Sequence, residues 1–241
     1  TKDFTWQTSL NYSFNKNEID KLYNDLERVG NYFVGQSINV IYTKRFGGIW
    51  QSDEAEIAKI YNAEPGDYKI IDRNRNNIID DDDRDFVGQT TPQFFGSFSN
   101  TFKSHGFDLT IFLTYAGGHK IYNPFAYLDS YSPSANMSPD YYHNYWTPER
   151  PSNKYPRLGS TNSQLYETDG MYQKGDYIRL KNLELGYTLP RNIANKVYAS
   201  NIRVYASVQN LVTFTKYTGF DVETSNANPY PACRVFMGGL T

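Results

Sequence analysis

The stretch "FTWQTSLNYSF", residues 4–14, decides the fold. Phe4, Trp6, Leu10, Tyr12 and Phe14 fall on one face of an extended chain, and Thr5, Gln7, Ser9, Asn11 and Ser13 on the other. Such alternation marks a half-buried strand. The polar face holds hydroxyls and amides but no charge, where the outer face of a soluble sheet normally carries Lys and Glu. The pattern recurs in "PQFFGSFSNTF" (92–102), where Phe94, Gly96, Phe98 and Phe102 oppose Gln93, Ser97, Ser99 and Thr101. It recurs again in "FDLTIFLTY" (107–115) and "NIRVYASVQNLV" (201–212). In "YIRLKNLELGYTL" (177–189) the apolar phase starts with Ile178 and Leu180 and resumes with Leu183, Leu185, Tyr187 and Leu189. That slip near Lys181–Asn182 predicts a β-bulge.

The chain has 22 tyrosines and 15 phenylalanines among 241 residues, yet its mean hydropathy is low and it has no run of apolar residues long enough for a membrane helix. A transmembrane β-barrel accounts for both features, because lipid-facing and lumen-facing residues alternate and aromatics gather at the two interfaces. A charge on the lipid face costs about 2–4 kcal/mol at the bilayer midplane, which explains uncharged apolar faces. Strands of roughly 10–11 residues fit a tilted crossing. Six are expected, at about 3–14, 92–103, 107–116, 175–189, 201–212 and 231–241. The connections between them alternate long and short. Residues 15–91, 117–174 and 213–230 are long, whereas 103–106 and 190–200 are short. Outer-membrane barrels place short turns in the periplasm and long loops outside. Because about eight strands is the least that closes such a barrel, and because "TKDFTW" has neither an initiator Met nor a signal core, the chain is expected to be a piece of a larger protein.

The remaining composition narrows the function. A net charge of −2 offers no field for nucleic acid. Cys233 is the sole cysteine, and His105, His119 and His143 lack metal-ligand spacing. With no nucleophile elbow, phosphate-binding glycine loop or His-Glu zinc motif, an enzyme is not expected.

Within loop 15–91, "NEIDKLYNDLERV" sets Ile19, Leu22, Leu26 and Val29 on a helical stripe, and "DEAEIAKIYNA" starts a second helix with Asp53 as the cap. Loop 117–174 carries Pro124, Pro133, Pro139, Pro148, Pro151 and Pro156 among aromatics, which predicts a stiff loop. The run "IDRNRNNIIDDDDR" (71–84) holds five aspartates and three asparagines. EF-hand spacing over 72–83 aligns Asp72, Asn74, Asn76, the Ile78 carbonyl, Asp80 and Asp83 as calcium ligands, with apolar Ile79 at position eight. Position six is Asn77 instead of Gly, and position twelve is Asp instead of Glu. A structural Ca2+ site is expected, weak at about 10⁻⁴–10⁻³ M. Tyr141, Tyr142, Tyr145 and Trp146 are candidates for stacking on substrate or for packing the loop. The alternative fold is a soluble, calcium-stabilised β-sandwich that binds carbohydrate.

"PGDYKIIDRNRNNIIDDDDRDFVG" (65–88), "NYWTPERPSNKYPRL" (144–158), "GDYIRLKNLELGYTLP" (175–190) and "IRVYASVQNLVTFTKYTGFDVE" (202–223) come in an order that resembles the SusC/RagA-type TonB-linked outer-membrane transporters. The family usually has Asp-Gly where this chain has Asn76-Asn77. The resemblance implies an all-β fold, with this chain as the C-terminal part. It would hold about six strands of a barrel of about 22, and the plug and TonB box would lie outside it. It also implies import of oligosaccharides, or of peptides, across the outer membrane of a Gram-negative bacterium. The implied partners are a SusD-like surface lipoprotein, the TonB-ExbB-ExbD complex acting through the plug, and outer-membrane lipid.

Overall fold

The computed structural model describes residues 4–123, 139–160, 167–224 and 230–241; Pro124 and Pro133 lie outside them. Six strands form one antiparallel sheet. They are β1 (Phe4–Phe14), β2 (Phe94–Ser104), β3 (Phe107–Gly117), β4 (Tyr177–Thr188), β5 (Arg203–Thr215) and β6 (Val235–Leu240). Each pairs with the next in chain order, as in an up-and-down barrel wall. The last strand is shorter than the expected 231–241, since pairing with β5 runs only from Gln209–Val235 to Val204–Leu240.

Residues paired across neighbouring strands point to the same face, so the register extends each strand's alternation across the sheet. Trp6 pairs with Phe102, Phe102 with Leu109 and Leu109 with Leu185. Leu185 pairs with Ala206, and Ala206 with Gly238. Another row runs Leu10–Phe98–Leu113–Leu180–Val212. The apolar face is thus continuous, and Phe4, Trp6, Leu10, Tyr12 and Phe14 are all more than half exposed on it. Thr8 and Asn100, paired with each other, are polar positions within this face; Asn100 is buried, and its Oδ1 accepts the Trp6 indole N–H at 2.9 Å. A polar group in an apolar layer is tolerable when bonded in this way.

The bulge expected near Lys181 is present. Leu180 pairs with Leu113 and Asn182 with Phe112, so β4 carries one residue more than β3. From Leu180 to Asn182 the partner β5 advances three residues, from Val212 to Gln209, so it bulges at the same level. Asn210 there has φ +54°. The two irregularities leave Leu180, Leu183, Val208 and Val212 on the apolar face.

Strands β2 and β3 are joined through His105 (φ +50°) and Gly106 (φ +85°). Positive φ at both central residues is the type I′ hairpin, whose twist matches that of the strands. A Cβ on Gly106 would lie 2.8 Å from the Thr188 carbonyl oxygen. Gly106→Ala is therefore expected to lower stability by about 1–2 kcal/mol. Urea unfolding of the protein in detergent measures this, and an unchanged midpoint would contradict it. Between β4 and β5 the chain makes two short helical turns, Arg191–Ala194 and Asn195–Val197.

Residues 17–91 and 120–173, from the first two long connections, form a second compact unit. Its core joins Ile49 and Tyr68 to Trp146 and Met171, with Phe46, Tyr122 and Tyr172 packed around them. The two loops are therefore one body, folded around residues about a hundred positions apart. Its secondary structure is a set of two-stranded ladders: Val40–Lys44 with Arg84–Gln89, Phe46–Ile49 with Tyr68–Ile70, and Lys120–Tyr122 with Tyr172–Lys174.

The first expected helix does not form. Residues 18–30 hold only a 3-10 turn, Tyr23–Asp25, and Arg28–Val29 pairs with Tyr32–Phe33. Asn24 and Asp25 both adopt positive φ, while Leu26 and Val29 are exposed. The Arg28 guanidinium instead lies over the Phe33 and Tyr42 rings, at 4.8 and 5.0 Å, and Phe33 and Tyr42 pack with Phe86. This aromatic cluster prevails over the helical stripe. The second helix spans Ala55–Ile60 after a 3-10 turn. Gln51 caps the 3-10 turn, its N–H donating to Glu54 Oε2 at 3.0 Å, and Glu54 rather than Asp53 stands at the N-cap of the helix. A soluble sandwich is built from two packed multi-stranded sheets; the described residues hold one six-stranded sheet and otherwise two-stranded ladders.

Candidate functional site

The motif residues 65–67 and 146–157 meet inside the loop unit. Gly66 has φ +92°, and a Cβ there would lie 2.5 Å from the Trp146 ring and 2.7 Å from Arg157 Cβ. Only glycine admits both the backbone conformation and the indole. Asp67 Oδ1 accepts from Arg157 Nε at 3.0 Å and from Ser160 Oγ at 2.8 Å, and Asp67 Oδ2 accepts from the Glu64 N–H at 3.0 Å. Gln51 Oε1 accepts the Trp146 indole N–H at 3.1 Å, and Asn153 Oδ1 accepts the Ile49 N–H at 3.0 Å. These bonds satisfy polar groups that packing removes from water.

Burial separates the four aromatic candidates. Tyr141 is 2% and Trp146 6% exposed, so both are packing residues whose faces no ligand can reach. Tyr145 is half buried beneath the Arg150 guanidinium, 4.7 Å from its ring centre. Tyr142, 61% exposed, is the most accessible of the four, its ring edge-to-face with His143 at 5.3 Å. Sequence reasoning could not separate these four, because a packing aromatic and a stacking aromatic share one composition.

The acidic loop 72–83 is held by its own side chains. Asp72 accepts from the N–H groups of Arg75 and Asn77 at 2.5 and 2.7 Å and from the Tyr61 hydroxyl at 3.0 Å. Asn76 donates to Asn74 Oδ1 at 3.0 Å, and Ile78 to Asn76 Oδ1 at 2.8 Å. Asp83 is buried and accepts from the Arg73 and Asp80 N–H groups at 2.7 and 3.1 Å. Asp80 caps the following turn through the Asp82 N–H at 2.9 Å. Asn77 adopts φ +65°, the left-handed conformation normally supplied by Gly at this position. Desolvation alone would raise the Asp72 pKa, but the Asn77 N–H, the Tyr61 hydroxyl and further N–H donors hold it below its ordinary value. Desolvation, and then Asp72 itself, push the Tyr61 hydroxyl up. Among the described residues no three His, Cys, Asp or Glu side chains converge as metal ligands. The predicted ligand set therefore depends on Asn74, Asn76 and the Ile78 carbonyl as much as on carboxylates.

The polar face of the sheet carries two ionic networks that strand alternation alone did not reveal. Arg203 donates from Nε to Asp108 Oδ1 at 2.9 Å and from its terminal nitrogen to Glu184 at 2.7 Å. Arg179 is 3% exposed. It donates to Asp221 and Glu223, both at 2.6 Å, and to Thr213 Oγ1 at 2.8 Å. Lys181 and the Tyr177 hydroxyl also reach Glu223, at 3.0 and 2.9 Å. Asp221 Oδ2 takes the Ala232 N–H at 2.9 Å. The third long connection is thereby fastened to the polar side of β4 and β5. The sequence signal for this was the set of unpaired charges on one strand face, with their partners about 40 or more residues away.

A sheet with one continuous apolar face, a charged and hydrogen-bonded opposite face, and long connections at one end only is a section of an outer-membrane β-barrel wall. No family profile matches the chain. It is 31% identical to TonB-dependent receptor P3 of Formosa agariphila over 99% of its own length and 27% of the receptor's. It is 28% identical to TonB-dependent receptor SusC of Bacteroides thetaiotaomicron over its whole length and 24% of that protein. The RagAB peptide importer in its open-open state has the same fold, with a TM-score of 0.79 at 24% identity, over 100% of this chain and 27% of that one. The chain is thus similar along its whole length to TonB-dependent receptors, SusC among them, and spans about a quarter of the length of these relatives.

Proposed function

We propose that the chain forms C-terminal barrel strands and external loops of a TonB-dependent importer in the outer membrane of a Gram-negative bacterium. The observation that carries this reading is the apolar face continuous over all six strands, in a chain related along its length to TonB-dependent receptors. Energy would come from TonB with ExbB and ExbD through a plug, and a SusD-like lipoprotein would close the outer mouth over the loop unit. The cargo is an oligosaccharide or a peptide. Tyr142 and its neighbours on the loop unit would face the cargo or the lipoprotein. Uptake of labelled oligosaccharide and peptide mixtures by cells with and without the receptor tests this. Receptor-dependent uptake abolished by a protonophore is the expected result; unchanged uptake on deletion would contradict it.

We also propose that loop 72–83 takes a structural Ca2+ through Asp72, Asn74, Asn76, the Ile78 carbonyl, Asp80 and Asp83. The left-handed Asn77 and the oxygen-bearing side chains at EF-hand spacing support this. When bound, the ion would staple the loop, which internal hydrogen bonds already shape. Calorimetry of the chelator-treated receptor should give a Kd of about 10⁻⁴–10⁻³ M, abolished by Asp72→Ala. Absence of heat and of any change in melting temperature would dismiss the site.

A further inference from the structure

On the apolar face, at the end of the sheet that carries the long connections, Phe94, Tyr115, Ile178 and Phe214 wall a groove of about 570 Å³ whose rim includes Lys174, Lys216 and Asp176. The register explains the arrangement. Tyr115, Ile178 and Phe214 form one row across β3, β4 and β5. Asp176 and Lys216 flank the Tyr177–Thr215 pair at the strand ends, so alternation returns them to the face of Ile178 and Phe214. Ile178 and Phe214 are 50% and 63% exposed. Lys174 and Lys216 are also exposed, and among the described residues no carboxylate lies in ion-pair range of either. Asp176 is engaged, its Oδ1 accepting the Gly118 N–H at 2.8 Å.

We propose that this groove binds a phosphorylated lipid of the outer leaflet, with acyl chains against the aromatic wall and the phosphate between the two lysines. The inference rests on the reading of the apolar face as lipid-facing and of the long connections as external. An apolar wall whose rim carries two lysines against one carboxylate, itself bonded to the Gly118 N–H, is net cationic and matches an amphiphile with an anionic head. Lysine stems lie along apolar surface while their ammonium groups reach the headgroup layer. Basic residues at that depth attract anionic lipid. A zwitterionic lipid would satisfy the wall but leave the cations uncompensated, and free phosphate would find the cations but gain nothing from the wall.

The test is native mass spectrometry of the full receptor in detergent, titrated with lipid A, phosphatidylcholine and inorganic phosphate separately. The expected result is retained lipid A. The variant Lys174→Gln/Lys216→Gln should bind it at least about tenfold more weakly, the paired arginine variant should keep it, and phosphatidylcholine should bind both proteins alike. Equal lipid A binding by the receptor and the glutamine variant would overturn the inference, as would phosphate binding as tightly as lipid A. Heat-modifiable migration of each variant reports a folded barrel. A folded barrel with unselective binding refutes this site alone, whereas a receptor that needs no detergent refutes the membrane reading and the site together.

Discussion

Replacing Arg179 with alanine is expected to destabilise the receptor by about 3–5 kcal/mol and to free the segment around Asp221 from the barrel wall. Arg179 and Asp221 side chains are each only 4% exposed, so the substitution leaves a buried carboxylate without its counter-ion. Asp221 keeps the Glu223 and Ala232 N–H groups at 2.9 Å each, which is why a defined loss is expected and not complete unfolding. Glu223 keeps Lys181 and Tyr177. Lysine in place of Arg179 should recover part of the loss, since it restores charge but not the fork that reaches Asp221, Glu223 and Thr213 together. The effect has a pH signature. Burial raises the Asp221 pKa, but Arg179 and the two N–H donors outweigh it, and the folded-state value lies below 3.8. A depressed folded pKa contributes stability that is fully present above the unfolded value. The stability of the unaltered receptor should therefore be flat in this respect at neutral pH and fall as pH drops below about 3.8 towards the folded value. Denaturant titrations at several pH values read both effects. An Arg179→Ala variant as stable as the parent would show that the network is not structural.

Arginine at Leu183 is expected to cost about 2–4 kcal/mol of barrel stability in bilayers, whereas arginine at Ser99 costs little. Leu183 sits mid-strand in β4, paired with Ile111 on one side and Val208 on the other, so a charge there faces hydrocarbon. Ser99 pairs with Ser9 and Phe112 on the polar face. Folded fractions in lipid vesicles, compared with the same proteins in detergent, separate a membrane penalty from a packing penalty. Equal losses at the two positions would remove the distinction between the faces.

The strands were legible because lipid and lumen impose a period of two on every crossing, and the alternation of loop lengths gave their direction. The β4 bulge was legible as a slip in phase between Leu180 and Leu183. The matching irregularity around Asn210 in β5 was not, since "NLV" keeps an apolar residue in either register. The loop unit was less readable. Its core joins Ile49 and Tyr68 to Trp146 and Met171, and nothing local to either loop announces a partner about a hundred residues away. The stripe Ile19–Val29 misled for a related reason: the cluster of Phe33, Tyr42 and Phe86 beside Arg28 is long-range, and it overrides local periodicity. The salt networks at Arg179 and Arg203 were visible only as charges on one face. Asn77, a departure from Gly in the EF-hand spacing, nonetheless adopts the left-handed conformation that the position calls for.

The central claim is that one face of this sheet meets lipid and that the facing changes phase at the bulge. Single cysteines along β4, in a receptor whose exposed Cys233 is replaced by serine, can carry a fluorophore while the bilayer carries a lipid-borne quencher. Quenching is expected at positions 178, 180, 183, 185 and 187 and not at Asn182 or Glu184, with the slip falling at Lys181. Unbroken alternation through 181, or no quenching at any position, would contradict it.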